Sequence, residues 1–422
     1  MADNLKKTPA AAEQELPRYG GATGLAQTFI NSKITPLLIV ATLLLGLFAL
    51  ALTPREEEPQ IVVPMIDVMV MLPGANPEEV ENIVTRPMEQ KIWEIEGVEY
   101  VYSSSFPSFA MSTARFLVGT DMEEAITRLA NKMYGNADLW PHGIVPPLVK
   151  VRSIDDVPMM SLTLWSENYD WYQLRQLAGE LRGEISSLTN VSVTELIGGR
   201  QRAVRVELDP QRMAAFNITT LSILPALQMQ NQNLPSGSFA QGNSQFVVET
   251  GTFLRSANDV ANLVVGSFGE RPVRLMDIAS VTDGPAEVDS YTFLGVGPSG
   301  DQTGIKDEFP VGSEHPAVTI SIAKRIGSDA TRVADSVLAK VERLKGTLVP
   351  EDVNITVTRN YGATARDKAS NLISNLGLAI FLAVVVVFLA MGWRGATIIF
   401  LSIPTTFSMT LFIYYIMGYT LN

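Results

Sequence analysis

Few side chains in this sequence have the types and spacing that enzyme chemistry requires. There are no cysteines, and His142 and His315 are the only histidines, so thiolate chemistry, a zinc site and a histidine-dependent triad are not expected. Asp155 and Asp156 form an acidic pair of the kind that acid–base catalysis uses. Because a valine and a proline follow them, a turn or a domain junction is the better interpretation. The sequence predicts no catalytic residue, no metal site and no cofactor.

A glycine pattern at Gly295, Gly297 and Gly300 matches the GxGxxG sequence of nucleotide-binding loops. In such proteins the pattern opens a helix, whose N-terminus holds a pyrophosphate. Here Pro298 and the residues 301–304 indicate a loop instead. Nucleotide binding is therefore not expected.

Apolar and aromatic side chains are the better candidates for contact with a ligand. Methionine fits varied shapes, so an adaptable apolar site can be built from it and from phenylalanine. Candidates of this kind are Met159, Met160, Met213 and Phe293, and the alternative is that they are ordinary core residues. Four aromatic residues also cluster at a predicted strand-to-helix junction: Trp165, Tyr169, Trp171 and Tyr172. For these, packing over the end of a sheet is favoured over stacking on a ligand.

Composition and charge limit the class of protein. The chain has 422 residues, enough for two or three domains. Its mean hydropathy of +0.17 is high for a soluble protein and low for membrane helices alone. Its formal net charge of −12 argues against nucleic acid as a partner. A few membrane spans joined to a large soluble part fit these values.

Three uncharged apolar runs are each long enough to cross a membrane as a helix: residues 34–52, 372–391 and 396–417. A cleaved signal peptide is the alternative for the first run, since residues 49–51 resemble a cleavage site. The polar lead of residues 1–33 and the length of the run favour an uncleaved anchor. None of the runs contains an ionisable side chain, so no proton relay is predicted in this chain.

The charges that flank the first run predict its orientation. Four basic residues precede it, whereas Arg55 behind it is followed by three glutamates. The positive-inside rule therefore places residues 1–33 in the cytoplasm and residues 53–371 on the other side. Residues 392–395 are then expected to form a tight cytoplasmic turn between the second and third spans.

The outer region contains two copies of one pattern. In residues 60–154, a strand is followed by a helix capped by Asn76, two further strands, a helix capped by Asp121 and a last strand. The second copy comprises residues 155–199 and 288–360, with its second helix capped by Ser328. Each copy predicts a split-βαβ, ferredoxin-like unit. Two such units side by side imply a cleft between them.

Residues 200–287 interrupt the second copy with helices and strands of their own. Within them, the polar stretch 230–242 is long enough to reach a neighbouring subunit. It contains the predicted oligomer contact, which is Asn233, Leu234, Pro235, Ser236 and Gly237. The alternative is a mobile surface loop.

Four segments, taken with the order of the elements, resemble one known family. They are PREEEPQ at 54–60, PGANPEEVE at 73–81, RSIDDVP at 152–158 and MGWRGA at 391–396. The chain resembles the N-terminal part of resistance-nodulation-division (RND) efflux permeases of the acriflavine-resistance multidrug class. The resemblance covers nearly the whole chain.

The resemblance implies a multi-pass protein of the bacterial inner membrane with a large periplasmic domain. It implies a proton-driven antiporter that exports small hydrophobic or amphiphilic compounds. Residues 60–154, and residues 155–199 with 288–360, would be two porter subdomains, and residues 200–287 a docking subdomain that reaches into the next protomer of a homotrimer. The implied partners are a periplasmic adaptor protein, an outer-membrane channel and membrane lipid.

The resemblance also suggests ligand contacts. Pro158, Met160 and Ile197 resemble cleft-lining positions, and Phe293 joins them from the apolar candidates above. Family members with a strong aromatic preference carry phenylalanine at the positions that resemble Pro158 and Ile197, so a different substrate class is expected here. The family's proton-carrying aspartates lie on a later span than the three found here. The alternative function is a transport-inactive, truncated membrane protein that only binds ligands or assembles with other subunits.

Overall fold

The computed structural model describes residues 29, 32–57, 63–136, 140, 143–152, 156–251, 253–298 and 309–421. Two compact units are present: a membrane unit from the described residues of 1–59 and 364–422, and a body from those of 60–363. The predicted cytoplasmic segment 1–33 lies almost wholly outside the described residues, as do His142, Asp155 and Gly300.

The elements follow one another in this order. The first membrane helix is α1 (Ile34–Leu52), and the body begins with β1 (Met65–Met71), α2 (Pro77–Val80), a π-helical turn (Glu81–Thr85), α3 (Arg86–Trp93), β2 (Val98–Phe106), β3 (Phe109–Phe116), α4 (Met122–Gly135) and β4 (Leu148–Arg152). Next come β5 (Pro158–Trp165), α5 (Trp171–Ser186), β6 (Val191–Ile197), β7 (Arg202–Leu208), α6 (Pro210–Ala215), α7 (Thr220–Gln230), β8 (Asn233–Gln241) and β9 (Ser244–Gly251). The remaining elements are α8 (Ala257–Ala261), β10 (Val264–Phe268), β11 (Arg271–Arg274), α9 (Leu275–Ile278), β12 (Ala279–Pro285), β13 (Phe293–Gly295), β14 (Glu314–Lys324), α10 (Ala330–Leu344), β15 (Asn354–Asn360), α11 (Tyr361–Met391) and α12 (Trp393–Ile416).

The first sheet is antiparallel, in the order β2-β3-β1-β4, which is the order of a split-βαβ unit. Ile66, Val68 and Val70 alternate along β1 and are buried against the helices on one face. Asn76 begins the first helix as predicted. Its side chain accepts a hydrogen bond from the Glu79 N–H, and the Glu79 carboxylate accepts one from the Asn76 N–H, both at 2.9 Å.

The second sheet repeats this order as β6-β14-β5-β15, with β13 pairing to the same edge of β14 as β6. Helices α5 and α10 cover one face, against which Leu162, Leu164 and Ile320 are fully buried. The predicted cap of α10 is wrong. Asp329 caps the helix by accepting a hydrogen bond from the Arg332 N–H at 3.0 Å, whereas the Ser328 hydroxyl donates backwards to Arg325 O.

The insertion between β6 and β13 has a small core of its own between helices α6 to α9 and the strands β10 to β12. Its first and last strands, β7 and β12, pair antiparallel. The Arg202 guanidinium donates to both carboxylate oxygens of Asp283 and holds the pKa of that carboxyl below its ordinary value. Because the folded-state pKa is lowered, the stabilising effect is present above the unfolded-state pKa and is lost as the pH falls through the folded one.

Among the described residues, α1, α11 and α12 are long and apolar enough to cross a membrane. Helix α11 begins at Tyr361 rather than Leu372, because polar residues continue the same helix and hydropathy marks only its apolar part. The predicted four-residue turn is wrong. Gly392 alone separates α11 from α12, with a φ of 75° that glycine adopts without a steric cost.

Candidate functional site

The predicted ligand residues lie on β5, β6 and β13, but the structure does not bring them together. Met160 contradicts the prediction, because its side chain is 0% exposed in the core beneath α5 and α10. Successive residues of a strand point to opposite faces. Met160 therefore faces the helices with Leu162 and Leu164, and it presents no surface to a ligand.

The other three predicted residues are spread along β14. In the strand register, Pro158 lies opposite Ala323, Ile197 opposite Thr319 and Phe293 opposite Pro316. Pro158 and Phe293 are thus at opposite ends of the sheet, roughly 20 Å apart at the usual rise of a strand. Because Thr319 and Pro316 are an odd number of residues apart, Ile197 and Phe293 also lie on opposite faces.

Phe293 belongs to an aromatic group at the start of α5. The Trp171 ring meets the Phe293 ring edge to face at 5.2 Å between centroids, and the Tyr291 ring at 5.5 Å. The Trp171 indole N–H donates to the Thr292 carbonyl at 2.8 Å, which fixes the ring over the sheet end. Tyr291 and Phe293 keep much of their surface exposed. The sequence placed Trp171 in such a group but did not include Tyr291.

Ile197 lies on the face of the second sheet that the helices leave uncovered, and it is half-exposed there. Polar side chains fill the middle of this open face. The Thr163 hydroxyl lies 2.9 Å from that of Thr319 and 3.2 Å from that of Thr358, so these groups satisfy one another. Glu195 adds an exposed carboxylate at the edge, opposite Ser321.

An aromatic group closes one end of the same open face. His315 packs against Trp165 and Phe309, with both ring centroids 4.9 Å from its own. Its Nδ1 is 4.0 Å from the Glu167 carboxylate, and its buried Nε2 has no hydrogen-bond partner in the described part of the chain. Sequence reasoning missed His315 and Phe309. The alternation from residue 315 to residue 319 is the signal that places His315 on the same face as Ile197.

This open face combines an aromatic end, hydroxyl groups and the apolar Ile197. It suits contact with an apolar or amphiphilic molecule better than bond-making chemistry. In the parts of the chain that the structure describes, no group of three or more histidine, aspartate or glutamate side chains is placed to hold a metal ion.

The predicted oligomer-contact residues begin a β-hairpin rather than an irregular arm. All five lie in β8, which pairs with β9 across Gly242 and Asn243, both in the left-handed region at φ of 59° and 61°. Phe239 and Phe246 stack across the hairpin at 5.2 Å, yet they are 53% and 48% exposed. Within the described residues, β8 and β9 pair only with each other.

Comparison with known proteins matches this architecture to one family. The model of the AcrB/AcrD/AcrF family matches residues 25–422. Multidrug resistance protein MdtC of Shigella sonnei (strain Ss046) and that of Escherichia coli O9:H4 (strain HS) are each similar to this chain, at 28% identity over 395 residues. The alignment covers 92% of this chain and 36% of each relative, so the chain spans about a third of the length of the curated relatives it matches. Since the family match covers nearly all of the chain, the protein belongs to the AcrB/AcrD/AcrF family of RND multidrug efflux permeases.

Proposed function

We propose that this chain works as part of a proton-driven antiporter of the bacterial inner membrane that exports small hydrophobic or amphiphilic compounds. The observation that carries the proposal is the repeated split-βαβ body, which lies in the sequence between the first and second membrane helices. The family membership supports the same function. Coupling to protons is taken from the family and not from residues of the three described spans.

The body divides naturally along its sheets. We assign β1–β4 with their helices to a first porter subdomain, residues 60–154. We assign the second sheet to a second porter subdomain, residues 155–199 and 288–360, and the insertion of residues 200–287 to a docking subdomain. The open face with Ile197 is then the ligand-contacting wall of the second porter subdomain, and Pro158 and Phe293 mark its two ends.

The exposed hairpin supports assembly as a homotrimer, because an isolated two-stranded hairpin is marginally stable in water and gains stability from a partner. A periplasmic adaptor and an outer-membrane channel complete the proposed export route. Neutral hydroxyls in place of an all-aromatic wall favour amphiphilic substrates over flat aromatic ones.

Orientation is tested with a reporter enzyme that is active only in the periplasm. Fusion after Gly199, within the body, is expected to give activity, and fusion after Arg394, at the start of α12, is expected to give none. The reason is the excess of basic residues before α1, which holds that end in the cytoplasm. Activity at Arg394 would contradict the proposed topology.

Export is tested by deleting the gene that encodes this chain in its host. The deletion strain is expected to become several-fold more susceptible to apolar and amphiphilic toxic compounds and to recover when the gene is returned. A gene carrying Ile197→Asp should restore resistance poorly, because a charge on the ligand wall must be desolvated by an apolar substrate.

Ile326→Asp is the matched control for this experiment, since Ile326 is a similarly exposed residue at a turn of the same unit. It should restore resistance fully. Unchanged susceptibility on deletion would count against export, whereas equal rescue by both variants would count against the assigned wall only.

A further inference from the structure

The first sheet also has a face that its helices leave uncovered, and the side chains on this face are graded along the strands. At one end Arg115 and Arg152 lie opposite Met65, and Lys150 lies opposite Asp67. Two residues further along, Met69 lies opposite Met111 and Leu148. The surface thus changes from charged to apolar over a few residues.

The charged end carries an excess of positive charge. Arg152 donates to Asp67 at 2.6 Å, and this buried carboxylate also accepts from the Thr113 hydroxyl at 2.6 Å. Arg115 lies 3.3 Å from Glu99. The exposed Lys150 adds a third cation to two carboxylates, in a chain whose overall charge is −12. An anionic group is therefore attracted to this end.

The other end is apolar and adaptable. Met71, Phe106 and Leu148 are half-exposed, and the Phe106 ring stacks on that of Phe109 at 6.0 Å. Methionine side chains are polarisable and flexible, so a face built from Met69, Met71 and Met111 adjusts to different chain shapes. Contiguous exposed apolar surface of this kind marks a binding site more often than a neutral surface.

The dimensions of the face favour a small occupant. Four strands and seven residues give a face of roughly 15 Å by 20 Å, or about 300 Å². A stable protein interface needs about 800 Å² on each partner. The face is therefore too small for a protein partner on its own, but it matches an elongated molecule with its head at the cationic end.

We propose that this open face of the first sheet is a site for free single-chain amphiphiles with an anionic head group. The head would lie near Lys150 and Arg115, and the tail would lie across Met69 and Met111. The site is separate from the wall that contains Ile197, and it does not depend on the transport proposal.

The test uses the full chain in nanodiscs of zwitterionic lipid, labelled with a photoreactive dodecanoate and mapped by mass spectrometry. Labelling is expected in peptides that contain β1 and β3. Unlabelled dodecanoate should reduce it several-fold, whereas dodecyltrimethylammonium and dodecyl maltoside, which carry the same tail, should compete weakly. Lys150→Glu should lower labelling several-fold and Lys150→Arg should retain it.

Lys345→Glu, at another exposed lysine of the body, is the charge-matched control and should leave labelling unchanged. Three outcomes would overturn the proposal. They are equal competition by all three head groups, labelling confined to the membrane helices or the hairpin, and a cross-link of this face to a second copy of the chain in place of the label.

Discussion

Gly46→Leu is expected to force apart α1 and α12 and to destabilise the membrane unit strongly. A Cβ atom at this position would lie 2.2 Å from Ser408 Cβ and 2.5 Å from Ser408 Cα. The second of these atoms belongs to the backbone, so no rotation of the serine side chain relieves the clash. Close approach through small residues is how membrane helices gain packing energy in lipid. Ala49, one turn further on, is fully buried in the same unit.

Overpacking of a close contact costs about 1–3 kcal/mol, and leucine should reach the upper end of this range or exceed it. The measurement is thermal unfolding of the purified chain in detergent. Helix proximity can be followed separately, because the chain has no cysteines and the Phe48 and Tyr415 rings meet at 5.9 Å. A short bis-maleimide should link Phe48→Cys to Tyr415→Cys in the parent and should link them poorly with Gly46→Leu.

Gly377→Leu is the matched control, because Gly377 lies in the apolar part of α11 and a Cβ atom added there would meet nothing within 4 Å among the described residues. It should unfold at the same temperature as the parent. Gly46→Ala with Ser408→Gly should recover only part of the loss, since the backbone at residue 408 still lies too close. If Gly46→Leu and Gly377→Leu behave alike, the close packing of α1 on α12 is wrong.

Much of the fold follows from local patterns in the sequence. Uncharged runs located all three membrane helices, because a span must be apolar over about 20 residues. Asn76 and Asp121 follow the pattern of helix caps, and Asp121 accepts from the Glu124 N–H at 2.9 Å. The limit is reached where two neighbours compete for one role. Ser328 and Asp329 both suit a cap, and only the backbone path decides that Asp329 takes it.

The hairpin shows a second limit. Its first strand contains Pro235 and Gly237, which are unfavourable in a strand, so composition indicates an irregular arm. The pairing of residues 233–241 with 244–251 accommodates both through a register shift between Pro235 and Gly237. The Gly242-Asn243 pair, with strand-like residues on its far side, is the signal that predicts a two-residue turn.

The candidate site was the least predictable part. A resemblance transfers positions along a chain, but a strand alternates between faces, so the neighbours of a ligand-contacting residue include core residues. Met160 is such a residue. His315 lies more than a hundred residues from Trp165 in the sequence, and only the pairing of β14 with β5 brings the two rings together. Long-range pairing of this kind leaves no local pattern.

Phe239→Asp combined with Phe246→Asp is expected to abolish self-association of the chain. Both rings project from the hairpin into solvent, where their stacking on each other covers only part of their surface. In the proposed assembly a neighbouring protomer covers the rest. Burial of one such side chain stabilises by about 1.5–3 kcal/mol, so losing two weakens association on the order of 100-fold or more.

The measurement is the mass of the full chain in detergent by light scattering, over a range of concentrations, with native mass spectrometry as a second readout. Phe239→Leu with Phe246→Leu keeps the apolar surface and should retain most of the association. Val118→Asp places one charge on an equally exposed apolar residue of the first sheet unit and should leave the mass unchanged. The hairpin is the cause only if the double aspartate variant alone dissociates. A parent that is monomeric at every concentration, or a double aspartate variant with the mass of the parent, would show that the exposed phenylalanines serve another contact.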